Sequence, residues 1–416
     1  MKKQERREEK GITLVALVVT IIVLIILAGV TLNIVLDQDG IINKAQQATG
    51  DYDNAQKAEQ ELLGEIEGYI EYAGKTAPIP GGYTRSQITT EDDVAEGLVI
   101  YEIPEGATIN WTDNEDENGN NQSTIILPGE TEVKNLQENV NQYVWIPVDD
   151  INSMVMCKSN TEDSVCNLVY DEIKDTLTCK THLGTATELV GRLYSSSIVN
   201  TGNKIYSYVM DFTKRDQTYD ESSYHEPNTV SSDASNSLII DELKSDFTAM
   251  AKSVAKNGGF YISRYEVGAN GDSKKNQQVL TAASSNGSNY LGANKWYGLY
   301  NATRNESSHK HMIWGCQYDQ AIEFIGKEAQ IGHSDRNLTK DHALSGQNEF
   351  DFMKNIYDLE GNHYEWTVEA NSTIGRTYRG SLYNNANNNS FDPASRRGSY
   401  SPTNSDYFSS RSTLYL

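Results

Sequence analysis

The sequence predicts an α+β protein in which a long N-terminal helix precedes a strand-rich globular domain. Three observations predict it: an uncharged run from Ile12 to Leu36, a helical apolar pattern that continues beyond it, and short β-rich runs after Pro78 separated by Asn- and Gly-rich loops. Hydrophobic residues make up 38% of the 416 positions and aromatics 9%, which is enough to build a core and excludes global disorder. The formal charge is -23, so most of the surface repels a phosphate backbone and nucleic acid is excluded as a partner.

Residues 12–36 carry no charge, and a helix needs about 20 apolar residues to cross a bilayer core. The preceding head, MKKQERREEK, holds more Lys and Arg than Glu, which keeps it cytoplasmic and sends the rest of the chain outside. A secretory signal peptide would have a shorter apolar core and a small-residue cleavage site, which this segment lacks. Residues 37–75 keep the helical phase, with Ile41, Ile42, Ala45, Ala48, Leu62, Leu63, Ile66 and Ile70 interleaved with charges, as in an amphipathic stalk. Lys10-Gly11-Ile12-Thr13-Leu14 resembles the junction that prepilin peptidase cuts in type IV pilins, between Gly11 and Ile12. That resemblance implies a leader (1–11), a membrane helix (12–36) and contact with other pilins. The fifth mature position is Ala16 where pilins place a glutamate, a departure that bears on filament assembly and leaves anchoring untouched.

Pro78-Ile79-Pro80-Gly81-Gly82 punctuates the chain and opens the globular part, 78–416. Strands are expected at Leu98–Tyr101, Thr124–Leu127 and Tyr143–Ile146, and helices at Ser237–Ala255 and Tyr318–Lys327. The run TDNEDENGNNQS is expected to be a solvated, mobile loop, and the polar stretch 149–236 an insertion. Three of the four cysteines, Cys157, Cys166 and Cys179, fall in that stretch, where a local bridge is compatible with any pairing.

Three segments together resemble the formylglycine-generating-enzyme branch of the C-type-lectin fold. They are Gly259–Val267 (GFYISRYEV), Met312–Cys316 followed by Asp319–Phe324, and Asp358–Thr367 (DLEGNHYEWT), with Tyr143–Val148 as the opening strand. Within the third, Gly361-Asn362 is a turn dipeptide, Trp366 is a core residue, and Glu365 reads as a structural acid paired to a backbone group or an arginine. The oxidising members of that family carry two C-terminal cysteines. Here none follows Cys316, so the resemblance implies a fold without that oxidase chemistry, no catalytic residue and no cofactor. His309-Lys310-His311 reads as an exposed polar loop, and Glu226-Pro227-Asn228 lacks the companion motif of calcium-binding lectins, so no metal is assigned.

From residue 376 the composition changes to Asn, Ser, Tyr and Arg, and five arginines stand against Asp392 and Asp406. Tyrosine gives large contact area at low entropic cost, Ser and Asn give adaptable hydrogen bonds, and Arg gives anchors. The expected ligand face comprises Tyr383, Asn384, Asn385, Asn387, Asn388, Asn389, Phe391, Arg396, Arg397, Tyr400, Asn404 and Tyr407. Segment 376–416 also resembles the variable region of diversity-generating-retroelement proteins, flanked by Arg379-Gly380-Ser381 and by an apolar final strand. The expectation is a non-catalytic, single-pass surface protein that binds a protein or glycan outside the cell. A minor pilin associated with a pilus is the second reading, and a metal-dependent oxidase the disfavoured third.

Overall fold

The buried runs singled out in the sequence become the middle of a six-stranded antiparallel sheet. The computed structural model describes residues 77–158, 165–179, 188–200, 206–215, 240–268, 271–281, 295–304, 310–326, 343–347, 352–359, 361–372, 375–382, 396–399 and 407–416. The leader, the Gly11-Ile12 junction, the uncharged run, the stalk, Glu226-Pro227-Asn228 and His309 lie outside them. The chain divides into two units, Met1–Ile70 and Glu71–Leu416, and every described residue belongs to the second. No helix among the described residues is long and apolar enough to cross a membrane.

In chain order the elements begin with β1 (Tyr83–Arg85), β2 (Val99–Glu102), β3 (Thr108–Asn110), β4 (Thr124–Ile126), β5 (Lys134–Asn135), α1 (Leu136–Asn139) and β6 (Gln142–Pro147). There follow α2 (Ile151–Met154), β7 (Val155–Lys158), β8 (Val165–Cys166), β9 (Leu168–Asp171), β10 (Thr176–Cys179), β11 (Glu188–Gly191), β12 (Tyr194–Asn200) and β13 (Tyr206–Arg215). Next come α3 (Ile240–Asn257), β14 (Gly259–Ser263), α4 (Lys295–Thr303), β15 (Lys310–Met312) and α5 (Gly315–Ile325). The C-terminal part holds β16 (Phe352–Met353), β17 (Ile356–Tyr357), β18 (Tyr364–Ser372), β19 (Gly375–Arg379), β20 (Arg396–Ser399), β21 (Phe408–Ser410) and β22 (Ser412–Leu414).

The main sheet runs β1-β2-β6-β14-β22-β15. Successive side chains of a strand point to opposite faces, and both faces of β6 and β14 are buried. Val144, Ile146, Phe260 and Ile262 join the main core with α3, α4 and α5, while Tyr143, Trp145 and Tyr261 form a smaller cluster with Leu98, Ile100 and Leu414. Helix α3 supplies Leu243, Phe247, Met250, Ala251 and Val254 at helical spacing, all buried. Each such side chain contributes about 1.5–3 kcal/mol by leaving water. Gly259 is demanded by close approach, since a Cβ there would stand 2.4 Å from the Ile146 carbonyl oxygen.

Several expectations change. Helix α3 runs to Asn257, past the expected Ala255, because Gly258 supplies the left-handed residue (φ 75°) that stops it. Helix α5 begins at Gly315 and not at Tyr318, since the Trp314 N–H is capped by the Gln317 side chain at 3.2 Å, and it ends at Gly326. The TDNEDENGNNQS run is an ordered turn between β3 and β4: the Asp116 carboxylate accepts from the Asn118 and Asn120 N–H groups, each at 2.9 Å, and Asn121 and Ser123 are buried. Within 149–236, Ile151, Met154, Val155, Cys157, Leu168 and Leu193 belong to the main core. Cys157 is disulfide-bonded and Cys316 is a buried thiol on α5. Lys310 and His311, expected on an exposed loop, are buried on β15, where they pair with Leu414 and Thr413 of β22. A strand beside the chain's final strand makes those polar residues interior, and His311 stacks on Tyr415 at 4.5 Å.

Candidate functional site

The ends of the tail are carried by a four-stranded sheet of order β20-β19-β18-β21, in which β18 and β21 are parallel and the other pairs antiparallel. Of the expected ligand-face residues, Tyr383, Asn384, Asn385, Asn387, Asn388, Asn389, Phe391, Tyr400 and Asn404 lie outside the described residues. Arg396 and Arg397 lie on β20, opposite Arg379 and Tyr378 of β19 in register. Tyr407, at the start of β21, is 39% exposed.

One face of this sheet is aromatic. Tyr364 and Trp366 alternate along β18 and meet Tyr378 of β19 at 4.9 and 5.4 Å, while Phe408 of β21 lies 5.7, 4.8 and 5.0 Å from Tyr364, Trp366 and Tyr378. Trp366 is fully buried and Tyr378 and Phe408 are half-buried, so the cluster grades from core to surface beside exposed Tyr407. Each tilted or edge-on pair is worth about 0.5–1.5 kcal/mol beyond its buried area. A face of this kind is stiff without being closed off. Sequence reasoning passed over Tyr364, Tyr378 and Phe408, although the alternation Tyr364-x-Trp366 marks one face of a strand.

The opposite face is ionic. The Arg411 guanidinium donates from Nε to Glu365 Oε1 at 2.9 Å, from Nη1 to the Ser263 carbonyl at 2.9 Å and from Nη2 to the Tyr357 carbonyl at 2.7 Å. The acid expected to be structural at Glu365 is therefore one half of a buried pair. Arg379 lies 2.6 Å from Asp319 on α5 and 3.8 Å from Glu369, and its guanidinium covers the Tyr318 ring at 4.6 Å. Gly315, at the start of α5, has no room for a side chain because a Cβ would stand 2.2 Å from Glu369 Oε2. Arg376 is two residues before Tyr378 on β19 and so on the aromatic side, where it donates to the Val368 carbonyl and stacks on Trp296 at 4.1 Å. Arg376, Arg379 and Arg411 are thus interior, and none of them belongs to the expected ligand face, whose arginines are Arg396 and Arg397.

Behind Arg411 the turn 358–363 is held by a second polar group. Asn362 adopts φ 62° and donates to Glu266, which also accepts from the His363 N–H at 3.1 Å. Asp358 accepts from the Gly346 N–H at 2.8 Å, and burial, reinforced by the nearby Glu266 charge, holds its carboxyl well above the usual carboxylate range. Burial likewise raises Glu365, against the opposing pull of Arg411. These acids are fully enclosed. Among the described residues no group of three or more His, Cys, Asp or Glu side chains is arranged to hold a metal ion. The chain matches no protein-family model, no curated protein and no solved structure.

Two outcomes follow from this interior. Removing one partner of a buried pair strands the other charge, so Arg411→Ala should lose about 3–5 kcal/mol in urea unfolding. A loss as small as that of a surface pair would show that the bridge is not formed. Asp358 binds its proton more tightly when folded than when unfolded, so its contribution is full below the unfolded pKa and is lost as pH rises through the folded one. Asp358→Asn should therefore match the parent chain near about pH 4 and melt higher than it toward about pH 8, and parallel melting curves would contradict the assignment.

Proposed function

We propose that this chain is a non-catalytic, surface-displayed binding protein whose C-terminal segment is the ligand face. The observation that carries the reading is the construction of its frame. Arg379 precedes residues 383–395 and Arg411 follows residues 400–406, and both are locked into buried ion pairs, so a segment rich in Tyr, Asn and Ser leaves and returns at fixed points. Between those points lie the half-buried aromatic face and exposed Tyr407. Holding a loop's ends on rigid strands lowers the entropic cost of ordering it around a ligand.

The finer form of the proposal is a C-type-lectin-like domain of the formylglycine-generating-enzyme type, carried outside the cell by a pilin-like helix and stalk. Its tail corresponds to the segment that retroelements diversify. The disulfide at Cys157 suits an oxidising exterior. The ligand class is a protein or a glycan, since Tyr, Asn and Arg serve either.

The test uses the full chain in detergent on arrays of glycans and cell-surface proteins. Ligands found there should be lost when Tyr383, Tyr400 and Tyr407 are replaced together by Ala; an unchanged affinity refutes the site, and an array with no ligand refutes the function. The Gly11-Ile12 junction favours a second reading, a minor pilin, which predicts the chain in sheared filament fractions. Recovery with membranes alone would leave it as an anchor.

A further inference from the structure

A cavity of about 470 Å³ opens on the main sheet, apart from the aromatic face, between Gly81-Gly82 at the start of the domain, the end of β2 and the final residues Leu414–Leu416. Its size lies in the range of small-ligand sites, about 300–1,000 Å³. The wall is mixed: the Tyr83 ring, Ile103 and Pro104 give apolar surface, and Glu102, Asn139 and Lys274 give polar groups between them.

The charges there are already matched. Lys310 lies 3.9 Å from Glu102 and Lys274 lies 3.3 Å from Asp272, so no cation is left over to hold an anionic ligand, and the acidic surface repels one. Glu102 is oriented by the Asn141 amide, which donates to its Oε2 at 2.8 Å. Two phenols beside the cavity are buried with no hydrogen-bond partner among the described residues: Tyr83, in the wall, and Tyr143, packed edge-on against it at 5.8 Å.

Matched charges, an oriented carboxylate and a wall with the Tyr83 and Tyr415 rings suit a neutral molecule with a polar rim and apolar faces. We propose that this cavity is a binding site for a neutral saccharide of one or two pyranose rings, independent of the C-terminal segment.

Chitobiose, maltose and lactose, titrated by saturation-transfer NMR against the full chain in a sugar-free detergent, test it. At least one should bind, and Glu102→Ala should weaken that sugar at least about tenfold. Gly81→Phe should abolish binding, because a Cβ at Gly81 meets nothing within 4 Å and the added ring projects into open space without disturbing the fold. Tyr407→Ala, on the aromatic face, should change nothing here, which separates this site from the ligand face of the tail. Absence of binding by all three sugars overturns the proposal, as does binding that survives both Gly81→Phe and Glu102→Ala in variants whose melting is unchanged.

Discussion

The structure around the tail depends on one side chain. Arg411 is fully enclosed, and its guanidinium ties together three parts of the chain that are far apart in sequence: Ser263 at the end of β14, Tyr357 in β17 and Glu365 in β18. A planar fork with several donors does this where a lysine could not, because each partner lies in a different direction. It also stands between β21 and β22, so it couples the four-stranded sheet to the six-stranded one. Once Arg411 is seated, the last strand has no freedom of register.

That last strand is not peripheral. β22 lies inside the main sheet, between β14 and β15, so the sheet is complete only when the end of the chain has folded back against residues some 150 positions earlier. Pairings of such separation close long loops before they gain contacts, and they fold slowly. Immediately before β22, Ser409 and Ser410 of β21 and Arg411 are buried as well, so the end of the chain is fixed over residues 409–414.

Much of the scaffold was legible in the sequence. The apolar runs at Tyr143–Ile146 and Gly259–Ile262, the spacing of Leu243, Phe247 and Met250, and the turn before Glu365-Trp366 each carry a local period that survives folding. What was misread shares a cause: polar residues whose partners are distant. His311 looks like a loop residue until β15 is placed beside β22, and the roles of Arg376 and Arg379 stay unassigned until Trp296 and Asp319 are brought to them. Composition cannot say which arginines in a strand of alternating faces point inward. The turn at 112–123 was misread for the opposite reason, since Asp116 satisfies its own neighbours and needs no distant partner to be ordered.

Replacing buried ion pairs by apolar residues of the same volume is often neutral for stability, so the pairs under the tail are better understood through what they specify than through what they stabilise. An apolar core under β18 and β19 would tolerate slippage by two residues, because the same faces would still be buried. Arg379 opposite Glu365, with Asp319 and Glu369 beside it, admits one register only. That choice has an electrostatic consequence. Three of the tail's five arginines are interior, and the other two, Arg396 and Arg397, are equal in number to Asp392 and Asp406, so apart from the interior three the formal side-chain charges of the tail cancel. For the proposed ligand face this charge balance favours shape, aromatic contact and hydrogen bonding over long-range attraction to a positive patch. Those are the interactions that Tyr, Asn and Ser supply, and that a change of side chain within the loop alters without disturbing the charges that hold its ends.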